Sequence, residues 1–252
     1  MRSGLKNSVL VLILTLLFSC SVIPDNFNTP GDIESTVARL KELNIPLQAD
    51  LDGDVRWIEA KKGEFNNKAM RYLPGLSKLE WLEISKSNLS KKGLKYLKNC
   101  KALKRLYIHD MDLKGEELAW ISSLNQLEAL ALQNTKIDGS FLKQLNAVDT
   151  LKVLNLSGNK ISDKDMPEIA RFKNLEVLSL ADTQISGTGI KALEGMARLN
   201  EFNIENCNIM DNDLSSFLTM PNLRIVYATG CKISDYAIGD ITARFPSLAI
   251  FL

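Results

Sequence analysis

Apolar residues return along this chain with a fixed period of 24. The first column runs Val55, Leu79, Leu103, Leu127, Leu151, Leu175, Leu199 and Leu223. Three residues later come Ile58, Leu82, Leu106, Leu130, Leu154, Leu178, Phe202 and Val226. A third column runs from Ala60 and Ile84 to Ile204 and Ala228, and a fourth from Phe65 and Leu89 to Ile209 and Ile233. The opening of each unit, apolar-x-x-apolar-x-apolar, alternates inward and outward at its end as a short strand requires. In the second half, apolar residues lie about three apart: Leu94, Leu97 and Cys100, then Leu118, Ile121 and Leu124, then Leu142, Leu145 and Val148. That spacing predicts one buried face of a short helix. One strand and one helix cannot enclose a core alone, so the units must stack. The pattern predicts an elongated solenoid of parallel strands joined by right-handed crossovers.

These in-phase copies over residues 55–252 resemble leucine-rich repeats. The resemblance implies an α/β horseshoe with a parallel sheet on its concave side and short helices on its convex side. The column where the commonest form of the family carries Asn or Cys reads Gly63, Ser87, Met111, Thr135, Asn159, Thr183, Cys207 and Cys231. It is similar to a bacterial variant, "LxxLxLxxTxIxD". Met111 cannot bond the backbone there, so a patchy interior polar ladder is expected. Ser162 with Asp165 has capping-box spacing, and Ser186 and Ser234 mark further helix starts.

At the N-terminal end, Ile33, Val37, Leu40 and Leu43 share one helical stripe. Pro46–Ala49 and the turn Asp50-Leu-Asp-Gly-Asp54 then predict a hairpin, giving a helix-plus-hairpin cap over residues 32–54. The Asp-rich turn invites a calcium reading, but Gly53 falls at the wrong place for an EF-hand loop. At the other end the apolar spacing slips by one residue after Ile241. Leu248–Leu252 then reads as a partial ninth strand, with Ile250 and Leu252 facing outward. An apolar terminal strand is an edge liability, so self-association through 248–252 is a possible use of it.

Arg2 and Lys6 precede an apolar run, Val9–Phe18, too short to span a bilayer. The run ends Leu17-Phe18-Ser19-Cys20, which resembles a bacterial lipoprotein signal (residues 1–20). That resemblance implies lipidation of Cys20 and anchoring in the outer membrane of the cell envelope; the alternative is ordinary cleavage near Ser19-Cys20-Ser21. Residues 21–31, with Pro24 and Pro30, read as a tether reaching about 35 Å if extended. Cys100, Cys207 and Cys231 remain at inward positions and read as buried free thiols. A Cys207–Cys231 disulfide between adjacent rungs is the alternative.

A net charge of +1 gives no sign of nucleic-acid binding. One stretch is polarised: from Ile84 to His109 there is no acidic residue, while Lys86, Lys91, Lys92, Lys95, Lys98, Lys101, Lys104 and Arg105 are all cationic. It reads as a solvated convex face or as a docking patch for anionic lipid or polysaccharide. The outward strand positions gather Trp57, Trp81, Arg105, Tyr107 and His109 with Glu59 and Glu83 near the first rungs, whereas the middle of the same columns is small. Exposed aromatics with Arg have the composition of binding hot spots. The alternative is that they only stabilise cross-strand neighbours. Catalysis has little support: His109 lies beside Asp110, yet no serine or cysteine nucleophile is expected near it. Glu59 and Glu83 share a glycosidase-like spacing, but on an open sheet with Lys61 and Arg105 nearby. Metal ligands do not cluster, and no cofactor is implied. The sequence thus points to a non-enzymatic binder of a protein or polysaccharide partner through the concave face; the alternative is a structural envelope protein that associates with the membrane or with itself through the basic convex patch and the apolar C-terminal edge.

Overall fold

A computed structural model of the chain describes residues 32–60, 64–113 and 118–252. The proposed signal and tether, with Cys20, lie outside these residues, as do Lys61 and Gly63. A helix, Asp32–Glu42, leads into β1 (Leu47–Ala49), which pairs antiparallel with β2 (Val55–Ala60). Then follow β3 (Trp81–Ser85), β4 (Arg105–His109), β5 (Ala129–Ala131), β6 (Val153–Asn155) and β7 (Val177–Ser179). The last three are β8 (Glu201–Asn203), β9 (Ile225–Tyr227) and β10 (Ala249–Phe251). All ten form one sheet in chain order, parallel from β2 onward.

The register reproduces the period. Ile58, Leu82, Leu106, Leu130, Leu154, Leu178, Phe202 and Val226 stand directly opposite one another on successive strands, all with no exposed surface. Each such side chain contributes about 1.5–3 kcal/mol of burial, which a single isolated rung lacks the neighbours to realise. The convex segments lie where the sequence places helices, but most are 3₁₀: Lys95–Asn99, Ala119–Ser123, Gly139–Gln144 and Asp211–Thr219. The apolar spacing of three was the sign of this. A 3₁₀ helix has three residues per turn, so Leu94, Leu97 and Cys100 fall on one edge of it, all buried.

Each strand is followed by a turn that needs a left-handed residue. These recur every 24 positions as Lys86, Asp110, Asn134, Gly158, Asp182, Asn206 and Gly230, with φ between 51° and 79°. From Asp110 onward the column reads Asp-Asn-Gly twice. Each Asn donates to the Asp on the rung before it, Asn134 to Asp110 at 3.0 Å and Asn206 to Asp182 at 2.8 Å. Each Gly leaves the room its preceding Asn occupies: a Cβ on Gly158 would meet Asn134 Oδ1 at 1.8 Å.

Inside the next turn, Asn159 is the hub of the polar ladder. Its Nδ2 donates to the carbonyls of Leu132 (2.6 Å) and Leu156 (2.9 Å), and its Oδ1 accepts from the Thr135 and Ile137 amides at 3.0 and 3.2 Å. Cys207 and Cys231 are free thiols that repeat the cross-rung part of this, each donating at 3.1 Å to the carbonyl 27 residues earlier, Leu180 and Ile204. They act as weak donors as well as small apolar fillers. On the convex side, the Ser162 amide and hydroxyl both donate to Asp165, at 3.0 and 3.1 Å, and Ser186 and Ser234 cap the segments that follow them.

The N-terminal cap forms over the first rung, with Val37 and Leu40 buried and Ile33 and Leu43 packed against the core. Its turn is closed by Asp50, whose Oδ1 accepts from the Asp52 and Asp54 amides at 3.0 Å, with Gly53 at φ 82°. The carboxylates of Asp50, Asp52 and Asp54 lie within 4.8 Å of one another. Asp50 is engaged by those amides and by Arg56, and Asp54 by Lys78. At the far end the strand register corrects the sequence reading. Ala249 pairs with Ile225 and Phe251 with Tyr227, so the 24-residue step is kept and no slip reaches the strand. Ile250 packs against the core, and Ala249 and Phe251 face outward. Leu248 is buried one position before the strand and so mimics an inward strand residue in the sequence.

Candidate functional site

The first three parallel strands place the sequence-derived residues side by side. Trp57, Trp81 and Arg105 are register partners on β2, β3 and β4, as are Glu59, Glu83 and Tyr107 in the next column. Alternation along each strand turns both columns to the concave face. The Trp81 and Tyr107 rings lie 5.6 Å apart, tilted by 60°, and the Arg105 guanidinium sits 5.9 Å from the Trp81 ring centroid. An aromatic pair of this kind contributes about 0.5–1.5 kcal/mol beyond its burial. Trp57, Trp81, Arg105, Tyr107 and His109 are all half-buried, so each presents surface outward.

Glu83 differs from the rest of the group. It is only 9% exposed, and it supports His109 from below rather than facing solvent. His109 Nε2 lies 3.4 Å from Glu83 Oε1, and Nδ1 lies 3.3 Å from Asp110 Oδ2. Hydrogen bonding to Glu83 raises the imidazole pKa above its ordinary value, against the opposing effect of burial. Burial also raises the Tyr107 hydroxyl. Below the cluster, at the strand starts, Glu80 joins two rungs by accepting from Arg56 at 2.8 Å and from Lys104 at 3.1 Å.

One expectation needs correction. A serine does stand near His109, because Ser85 is its register partner on β3. Both imidazole nitrogens face carboxylates, however, and the Ser85 side chain is buried, so the ring is not placed to take its proton. Glu59 and Glu83 do occupy neighbouring rungs, but the histidine engages Glu83.

Beyond β4 the columns shrink to Ala129 and Ala131, both buried, then to Val153, Asn155, Val177 and Ser179. The concave face regains large side chains at its C-terminal end, which sequence reasoning missed. Tyr227 stacks on Phe251 with centroids 5.5 Å apart and planes 22° apart. Glu201 stands on β8 beside them, making no ion pair among the described residues, and burial raises its carboxyl pKa. Glu201 and Glu205 both lift the Tyr227 hydroxyl, after burial itself. Keeping the step at 24 through Phe251 would have revealed this end.

A family model described as Leucine Rich repeat matches residues 150–170 and 173–193. No match to the chain is found among curated proteins. Among solved structures, the chain is similar to internalin C2 of Listeria monocytogenes, with 20% identity, a TM-score of 0.58, and coverage of 91% of this chain and 100% of that one. It is also similar to an internalin, inlF, of the same organism, with 18% identity and a TM-score of 0.53. That match covers 72% of this chain, which spans only 56% of the inlF chain. Among the described residues no helix is long and apolar enough to cross a membrane. In its repeats and in its architecture the chain has the fold of a leucine-rich-repeat solenoid.

Proposed function

We propose that this chain is a non-enzymatic envelope protein of a bacterium, exported and lipid-anchored at Cys20, that binds a macromolecular partner through its concave face. The contact is centred on Trp57, Trp81, Arg105, Tyr107 and His109, rimmed by Glu59. The observation that carries this reading is the contrast within one column. Two tryptophans and an arginine occupy β2 to β4, and the next rung carries a buried alanine. A sheet face needing only to be covered has no use for three large amphipathic side chains in neighbouring places. A protein surface is the favoured partner, and a polysaccharide would use the same rings by stacking. Hydrogen exchange with a captured native partner tests it: protection of β2–β4 with the convex segments unchanged is the expected result. Arg105→Ala should weaken capture at least tenfold while shifting the melting temperature little. Exchange unaltered along β2–β4 would overturn the reading. The lipid is tested separately, by acyl labelling of the wild type and of Cys20→Ala.

The exposed edge favours a second use of the surface. Phe251 is 51% exposed on β10, and Tyr236 in the helix before it is 85% exposed. Two copies would meet through this apolar end. Light scattering giving a monomer at every concentration, with and without residues 248–252, removes the idea.

A further inference from the structure

The lysine-rich stretch of the second rung becomes a defined surface once folded. Lys95 and Lys98 lie on the 3₁₀ segment Lys95–Asn99, one three-residue turn apart, with Lys92 and Lys101 a further three residues on either side. Three residues per turn aligns Lys95 with Lys98, while Lys92 lies on the short α-helix Lys91–Leu94 before them and Lys101 just past the end of the segment, so four exposed amines gather on the convex surface of one rung. The rung before extends it: Lys68 and Arg71, 24 residues earlier than Lys92 and Lys95, are exposed at the matching places. Tyr72 and Tyr96 form a third matching pair, with the Arg71 guanidinium 5.5 Å from the Tyr72 ring and Tyr96 38% exposed.

Among the described residues Lys92, Lys95 and Lys98 make no ion pair, and Lys101 donates to the Ser123 carbonyl at 3.2 Å. Later convex segments carry fewer cations together: Arg171 pairs with Glu168 at 2.8 Å and Arg244 with Asp240 at 3.6 Å, and Lys143, Lys164 and Lys173, also without an ion pair among the described residues, are spread over two rungs. The concentration of four cations on one rung is a local feature in a chain whose overall charge is only +1.

We propose that the convex face of the first two rungs is a contact surface for a membrane leaflet bearing anionic headgroups. A cluster of amines on long flexible stems, with tyrosines between them, suits a headgroup layer: the amines meet phosphates while the ring bodies sit at the interface. The surface lies on the opposite side of the solenoid from the concave cluster, so lipid and partner occupy the molecule together. It stands apart from the partner reading and from Cys20 acylation.

The test is vesicle binding by the full, unacylated chain, comparing phosphatidylcholine alone with phosphatidylcholine mixed with phosphatidylglycerol. The apolar N-terminal segment is present in every variant, so the patch reports itself as the change in preference for the anionic vesicles. Lys92→Gln/Lys95→Gln/Lys98→Gln should cut that preference on the order of a hundredfold, at about fivefold per lysine. Replacement of the same three by arginine should keep it, and rising salt should erode it. A control with equal charge loss elsewhere, Lys143→Gln/Lys164→Gln/Lys173→Gln, should leave it intact. The proposal falls if the first variant keeps the preference or the control loses as much. It falls too if a soluble anionic polysaccharide displaces the chain from the vesicles through the same lysines.

Discussion

At the N-terminal end of the concave wall the charged side chains answer one another. His109 lies between Glu83 and Asp110, and Glu80 joins Arg56 to Lys104. At the C-terminal end Glu201 has no counter-charge among the described residues, and the aromatic pair Tyr227–Phe251 lies at an open edge. Both ends are built from the same columns of the same sheet. The difference is that the N-terminal end is held by its own ion pairs, and under the proposed reading such a surface would meet a partner at lower entropic cost. The C-terminal end holds a desolvated carboxylate whose missing counter-charge a basic group on a partner would supply.

Side-chain truncation puts this comparison to its largest test. Trp81→Ala removes ring contacts from both Tyr107 and Arg105 and should cost about 2 kcal/mol in denaturant unfolding. Phe251→Ala, losing one stacked neighbour at an exposed edge, should cost about half that. Equal losses would mean that the two ends are equally rigid. A smaller effect is expected from the charges. Glu80→Gln uncouples cations on two rungs and should cost about 1 kcal/mol at low salt, shrinking as salt is added. Glu201→Gln should leave stability unchanged or raise it by a few tenths of a kcal/mol at neutral pH, because an unpaired desolvated charge is removed. A clear destabilisation would reveal a cation held by Glu201.

The smallest effect is on pH dependence, and its sign is fixed by the direction of the shifts. The folded-state pKa of His109 is raised, chiefly by Glu83, so its contribution is fully present below the unfolded value of about 6.5. It is lost as pH rises through the folded pKa. The stability gap between wild type and His109→Gln should therefore narrow on going from mildly acidic to alkaline pH. The carboxyl of Glu201 is raised by burial, so its penalty appears as pH rises through that raised value. Because the chain has one histidine, a single imidazole resonance reports the first titration, and a midpoint at or below the ordinary value would break the Glu83 assignment.

Much of this architecture is legible in the sequence because a repeat restates its constraints on every rung. The strand columns and the outward cluster follow from the period and from alternation, and the capping hairpin from its Asp-Gly turn. The errors arise where a residue satisfies the pattern for a local reason. Leu248 is apolar and buried, and so drew the last strand out of step by one place, concealing Phe251 beside Tyr227. The burial of Glu83 was not legible, because it depends on how closely His109 approaches on the next strand. The thiol donors Cys207 and Cys231 were legible as small inward residues but not as hydrogen-bonding ones, since only the turn geometry brings a carbonyl within reach.

The Asp-Asn-Gly turn column sets a rule for how such an array can change length. Excising one unit, residues 135–158, would seat Asp182 directly above Asn134, where only a glycine leaves space for the amide. Excising three units returns the same neighbours to every turn of this column. The increment set by the turn column is therefore a triplet, and single-unit insertions or deletions in engineered versions should be tolerated only when its residues are rewritten with them.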